Sequence, residues 1–246
     1  MKDRKHVFEF ADDPDADREL LEGSFAQMSA VNRWLGGDRG LRWALGPLVE
    51  ELDRLTILDV GSGDGTSLAR LVDWGRKAGC NLRGAAMDLH RVAIGAAQRT
   101  FGAREEVHVL RADALRLPFP DGSFDVAMAV LTLHHFADEE IVQAMAELGR
   151  VARRRVVVSD LERSPGAYLG ARLLAATVWR RNRYTRNDGP ASVRRGFTAR
   201  ELRDLGARAG LVDMDLRNHL LFRHTLVARG GPGAAASEAS TASGAG

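Results

Sequence analysis

One stretch, Thr56-Ile-Leu-Asp-Val-Gly-Ser-Gly-Asp-Gly-Thr66, limits the possible folds of this chain more than any other. Thr56 to Val60 is a short apolar run with β-branched residues, suited to a buried strand, and Gly61 cuts it off sharply. Gly61, Gly63 and Gly65 alternate with small or acidic residues, and Leu68, Leu71, Val72 and Gly75 then follow at helical spacing. The pattern is a strand, a glycine loop and a helix start. Glycines allow positive φ and close approach of a ligand, while the first free N–H groups of the helix point into the same space.

The spacing narrows the ligand. A dinucleotide loop wants Gly-x-Gly-x-x-Gly, whereas here Thr66 holds the sixth position and the third glycine comes one residue early. No Gly-Lys-Ser/Thr closes a P-loop. Asp59, at the strand end, would repel a pyrophosphate and suits a ligand with an ammonium group. Other strand and helix patterns alternate along the chain. Strand patterns end at Asp88, cover Val107 to Leu110, Phe124 to Leu131 and Arg155 to Asp160, and return at Leu211 to Leu216 and Leu221 to Val227. Helices are expected at 66–79, 91–101, from Asp138, which is placed as its cap, through Val151, and from a Thr198/Glu201 capping box to Gly210. This alternation predicts an α/β fold, a doubly wound, mostly parallel seven-stranded sheet closed by an antiparallel edge pair. Ligands on such sheets bind beyond the carboxyl ends of the strands, where Gly61, Asp88, Asp113, His134 and Asp160 fall.

The motif Asp59-Val-Gly-Ser-Gly-Asp-Gly65 resembles the cofactor loop of class I S-adenosylmethionine-dependent methyltransferases. Three further matches follow in order: Asp88 in Gly84-Ala-Ala-Met-Asp-Leu-His90, the turn Arg111-Ala-Asp-Ala114, and Leu117-Pro-Phe-Pro-Asp-Gly-Ser-Phe-Asp-Val126. The last is similar to the approach to the fourth strand in ubiquinone and menaquinone C-methyltransferases and in many natural-product O-methyltransferases. The resemblance covers about Thr56 to Asp160. It implies S-adenosyl-L-methionine as cofactor, with Asp59, Gly61, Ser62, Gly63 and Gly65 around the methionine end, Asp88 and Leu89 at the ribose, Asp113 and Ala114 at the adenine, and Leu131 beside them. Arg33, near the end of a first helix, is a candidate for the cofactor carboxylate.

Residues 1–53 form the expected N-terminal helical cap, with a loosely held polar start to about Asp13, a helix from Asp15 to Leu35 and a second helix capped by Asp38. Residues 54–229 form the methyltransferase domain. An insertion at about 163–196 reads as a lid, and residues 230–246, rich in Gly, Ala, Ser and Thr, read as a disordered tail. His135, with His134 behind it, is the candidate base for an acidic hydroxyl or carbon acceptor, and continued strand alternation would turn only one of the two into the site. Tyr168 and Trp179 are candidates to stack on an aromatic acceptor, and Arg194 with Arg195 to hold an acidic one.

Net charge is +2 and 45% of the residues are hydrophobic, so there is ample core and no global nucleic-acid signature. The single cysteine excludes an intramolecular disulfide and fits a reducing compartment. No transmembrane run is present, no metal is expected, and a cytoplasmic location follows. The expected partner is a small aromatic, quinone-like or polyketide acceptor. A nucleic-acid methyltransferase is the alternative, disfavoured because Leu131-Thr-Leu-His-His-Phe136 stands where base-amino methyltransferases carry Asn/Asp-Pro-Pro-aromatic. A cofactor-binding relative without methyl transfer is a third reading.

Overall fold

The structure, a computed structural model, describes residues 1–230 apart from 2, 6, 35, 220 and 221. The tail expected beyond Gly230, the helix end at Leu35 and the strand start at Leu221 therefore lie outside the described residues.

Seven strands form one sheet in the order β3-β2-β1-β4-β5-β7-β6. They are β1 (Arg54–Val60), β2 (Asn81–Asp88), β3 (Val107–Arg111), β4 (Phe124–Val130), β5 (Ala152–Leu161), β6 (Val212–His219) and β7 (Arg223–Arg229). All pairings from β3 across to β5 are parallel, and β7 lies antiparallel between β5 and β6. Side chains alternate along the strands, so β1 sends Leu58 and Val60 to one face and Leu55 and Ile57 to the other. The first face is covered by α5 (Asp138–Val151) and α8 (Ala199–Arg208), the second by α2 (Gly37–Glu51), α3 (Thr66–Lys77) and α4 (Arg91–Phe101). Burial on both faces explains the nearly unbroken apolar character of β1 and β4.

Helices α1 (Arg18–Trp34) and α7 (Arg183–Arg195) line the cleft at the carboxyl ends of the strands, and α6 (Pro165–Ala176) packs on α7. Ser164 caps α6 and Asn182 caps α7, each accepting a bond from a backbone N–H of the first turn. These helices pack around Ala167, Ala171, Ala175, Trp179 and Val193, with Met28 and Val31 of α1 against them. The expected insertion is thus a helical hairpin docked on α1.

Three local expectations need correction. Asp38 does not cap α2: Gly36, in the left-handed region, precedes the helix, and Asp38 instead receives a 3.0 Å bond from Arg70. Asp138 is the first helical residue of α5, and Glu140 accepts from the backbone N–H of Ala137, one residue earlier. The described residues before Asp13 are not loosely held. They form a strap in which Asp188 accepts from the N–H groups of Phe10 and Ala11, Phe10 stacks on Tyr184 at 4.2 Å, and Arg4 reaches Asp138 and the Phe136 carbonyl.

Candidate active site

The strand order reverses between β1 and β4, and the chain opens a cleft of about 700 Å³ beyond their carboxyl ends. On the β1 side runs the glycine loop. Gly61 and Gly63 have φ of 69° and 56°, in the left-handed region that favours glycine. A Cβ on Gly61 would overlap Thr132, whereas one on Gly63 would meet only Phe25, at 4.0 Å, because this part of the loop faces the cleft. Gly65 serves packing instead, since a Cβ there would run into Phe101.

Asp88 organises the far side of the loop. One of its oxygens accepts from Gly63 N–H and the other from His90 N–H, both at 2.9 Å. Asp88, Leu89, Asp113 and Ala114 line the cleft with Gly61, Ser62 and Gly63, and Leu131 joins them at φ 56°. Leu131, directly after β4, donates its N–H to the Ser159 carbonyl, which holds it in that unusual conformation at the cleft wall.

Asp59 lies behind the loop and is 1% exposed. Burial, with the charges of Asp88 and Asp64 added, pushes its carboxyl up to about 8, and neither oxygen has a hydrogen-bond partner among the described residues. Ser62 Oγ and Asn32 Oδ1 are likewise buried and unpartnered beside the cleft. Unsatisfied buried polar atoms are rare and ask for an explanation. A ligand carrying an ammonium, hydroxyls and an amino-purine edge has the donors this loop lacks, so the residues fit the implied cofactor. Arg33 does not contribute. It points to solvent, and its neighbour Asn32 is the residue that the helical phase of α1 turns inward.

After β4 the chain does not continue as strand. Leu133–His135 form a 3-10 turn, in which successive side chains do not point to opposite faces, so both His134 and His135 line the cleft with ring centroids 4.2 Å apart. Each ring is oriented by a carboxylate through Nδ1: His134 by Asp160 at 2.7 Å and His135 by Asp12 at 2.6 Å. The His134–Asp160 pair is almost fully buried. Burial alone would raise the Asp160 carboxyl, but His134 and the hydrogen bonds around it hold it below its ordinary value. Burial opposes the charged form of His135, yet the Asp12 bond and the charges of Glu9 and Asp12 outweigh it, so its pKa is raised. Burial also opposes ionisation of Asp12, but His135 and Arg195 pull it down to about 2.

Arg195 ties this wall together. Its guanidinium donates to the backbone carbonyls of His134 and His135 and to Asp12, and lies 3.2 Å from Glu9. Glu9, in turn, accepts from Ser192 at 2.5 Å. Glu9, His134 and His135 each offer a ligand atom within 4.8 Å of the others, a spacing a metal ion could use. Arg195 already supplies the compensating positive charge there.

The expected acceptor residues are not in the cleft. Trp179 is 3% exposed and packs on Gly189 between α6 and α7, Tyr168 packs on the same cluster, and Arg194 is half-buried outside the wall, its carbonyl accepting from Lys5 N–H. Arg195, the other arginine expected at an acidic acceptor, does not line the cleft either, because its guanidinium is taken up by Asp12, Glu9 and the His134 and His135 carbonyls.

Residues 57–155 match a family model described as a methyltransferase domain. A demethylmenaquinone methyltransferase of Thermus thermophilus is 35% identical over 57% of this chain and 63% of its own length. Methyltransferase GfsG of Streptomyces halstedii is 29% identical over 62% of this chain and 58% of its own length. The chain thus spans less than two thirds of each of these relatives. Human N-acetylserotonin methyltransferase, solved in complex with SAM, superposes on 90% of this chain and 60% of its own with a TM-score of 0.65 at 15% identity. A SAM-dependent methyltransferase from Aquifex aeolicus covers 71% of this chain and 81% of its own with a TM-score of 0.54 at 19% identity. Over residues 57–155 the chain thus resembles a methyltransferase domain, and its seven-stranded sheet has the fold of S-adenosylmethionine-dependent methyltransferases of known structure.

Proposed function

We propose that this protein transfers a methyl group from S-adenosyl-L-methionine to a hydroxyl oxygen or carbon of a small aromatic, quinone-like or polyketide acceptor. Bound in the cleft, the cofactor supplies a methyl group on a sulfonium, an electrophile that needs alignment more than activation. Gly61, Ser62 and Gly63 hold its amino-acid end, with Asp59 beneath. Asp88 keeps lone pairs for ribose hydroxyls beyond the two backbone bonds it accepts, and Leu89, Asp113, Ala114 and Leu131 frame the base.

The observation that carries the reading is the pair of carboxylate-oriented imidazoles beside the glycine loop. With Nδ1–H donating to Asp160, His134 presents Nε2 as a proton acceptor, and Asp160 stabilises the imidazolium that forms. We therefore assign the proton of the acceptor to His134, where the sequence favoured His135. His135, its pKa raised beside Asp12, is suited to hold a proton toward an acceptor oxygen. The names of the relatives support the acceptor class, since they include demethylmenaquinone methyltransferases and, at 36% identity over 43% of this chain, an O-methyltransferase of Penicillium expansum.

The test is incubation with methyl-labelled cofactor and a panel of phenols, hydroxyquinones and polyketide pyrones beside tRNA and rRNA. Label is expected in at least one small acceptor, and label in RNA alone would reverse the acceptor class. Asp160→Asn is expected to lower turnover of a phenol by about 10²-fold or more, the scale of general-base catalysis, with cofactor affinity nearly unchanged. An equal loss of cofactor affinity would place the pair in binding rather than proton transfer.

A further inference from the structure

Helix α6 uses only one of its sides. Ala167, Ala171 and Ala175 face inward onto Trp179 and α7. Away from them Leu169 and Leu173 are 72% and 64% exposed, and Val178 in the following turn is 61% exposed. Phe222, half-exposed, lies against Gly166 at the start of the same helix. Val31 of α1 packs against the α6–α7 cluster, and Trp34, three residues on and so on the same side of that helix, is 86% exposed.

The charge around this apolar surface has one sign. From 163 to 187 the sequence has no Asp or Glu. Arg172, Arg180, Arg181, Arg183 and Arg186 are exposed, and among the described residues none of them forms an ion pair with a carboxylate. Protruding aliphatic side chains, a tryptophan at the edge and an arginine rim without acids are the pattern of a helix that lies in a membrane interface. A nucleic acid would use the arginines and leave the leucines in water. A protein partner would need acids placed against at least five separate arginines.

We propose that the outer face of α6, with the turn that follows it, docks on the surface of an anionic lipid bilayer. The leucines and Val178 enter the headgroup boundary, and the arginines meet lipid phosphates. No helix among the described residues is long and apolar enough to cross a membrane, so the contact is peripheral. The helices that carry the surface, α1, α6 and α7, belong to the group that walls the cleft, since α1 and α7 contribute Phe25, Met28, Asp188 and Ser192 to its lining. Docking therefore sets the acceptor side of the cleft near the bilayer, where an apolar quinone-like acceptor is dissolved. That last step rests on the methyl-transfer reading above, whereas the docking itself does not.

The test is co-sedimentation of the full chain with vesicles of phosphatidylglycerol and phosphatidylcholine, and with phosphatidylcholine alone. Binding is expected only to the anionic vesicles and should weaken as salt is raised. Leu169→Asp with Leu173→Asp should reduce it about ten-fold or more, and Arg172, Arg180 and Arg181 changed to Gln should each weaken it about five-fold. These positions are exposed, and unchanged circular dichroism and an unchanged heat of cofactor binding establish that the variants are folded. No pelleting with anionic vesicles, or pelleting equal in the parent and the leucine variant, would overturn the proposal. So would sedimentation velocity in which the leucine variant turns a dimer into a monomer while vesicle binding is unaltered, since the face would then belong to a second copy. Loss of vesicle binding with cofactor binding intact separates this surface from the catalytic reading.

Discussion

Asp59 couples the stability of the domain to pH. Its carboxyl is pushed from an ordinary 3.8 to about 8 by burial and by the charges of Asp88 and Asp64. Between those values the folded chain keeps a proton that the unfolded chain has released. Stability is therefore unpenalised below about 4, falls as pH rises through the window, and levels off above about 8. At about 1.4 kcal/mol per pH unit, the carboxyl costs about 4 kcal/mol at pH 7 and about 6 kcal/mol at the plateau. Asp59→Asn keeps the shape and removes the titration. Its amide brings unsatisfied groups of its own, a cost of about 1–3 kcal/mol that does not vary with pH, so the slope and not the offset is the reading. Urea unfolding of parent and variant at pH 5, 6, 7 and 8 without cofactor should give a difference that moves in favour of the variant by about 1.3 kcal/mol per pH unit up to pH 7. A difference that stays flat from pH 5 to 8 would refute the buried, protonated carboxyl. In the parent, S-adenosylmethionine binding at pH 7 should release up to about one proton as its ammonium stabilises the ionised acid, seen as heat that depends on the buffer. The variant should show no such release.

Two substitutions probe the loop and the lid. Gly61→Ala places a side chain in left-handed backbone against Thr132, which should cost about 1–3 kcal/mol and weaken cofactor binding, measured by thermal melting and calorimetry. Trp179→Ala leaves a cavity between α6 and α7 and should cost about 3–5 kcal/mol with the ratio of turnover between two acceptors unchanged; a shift in that ratio would return Trp179 to the acceptor site.

The glycine-loop side of the cleft is legible in the sequence because its parts are local. Gly61, Ser62 and Gly63 are contiguous, and Asp88 and Asp113 each end a strand or open a turn that the apolar pattern marks. The histidine side has no such signature. Its wall joins Asp12 to His135 and Arg195 to Asp12, the latter across 183 positions of chain, and no periodicity links them. The strap before Asp13 is polar and reads as loose, since its order comes from capture by Asp188 and Arg195, with Phe10 stacked on Tyr184, partners some 170 or more positions away in the chain. Arg33 and Asn32 differ by one step of helical phase, about 100° around α1, which a charge-based choice ignores. The two histidines were assigned by strand alternation, which ceases where Leu131 turns to positive φ.

The strap that carries Glu9 and Asp12 enters the wall from outside the stretch that matches the methyltransferase family model, as does α7 with Ser192 and Arg195. The cleft is consequently modular: one half is fixed by the sheet that holds the fold together, and the other is an added panel with little share in the central core. Replacing the first dozen residues, or appending a bulky tag to them, would reshape what the cleft admits while leaving its glycine-loop side as it was.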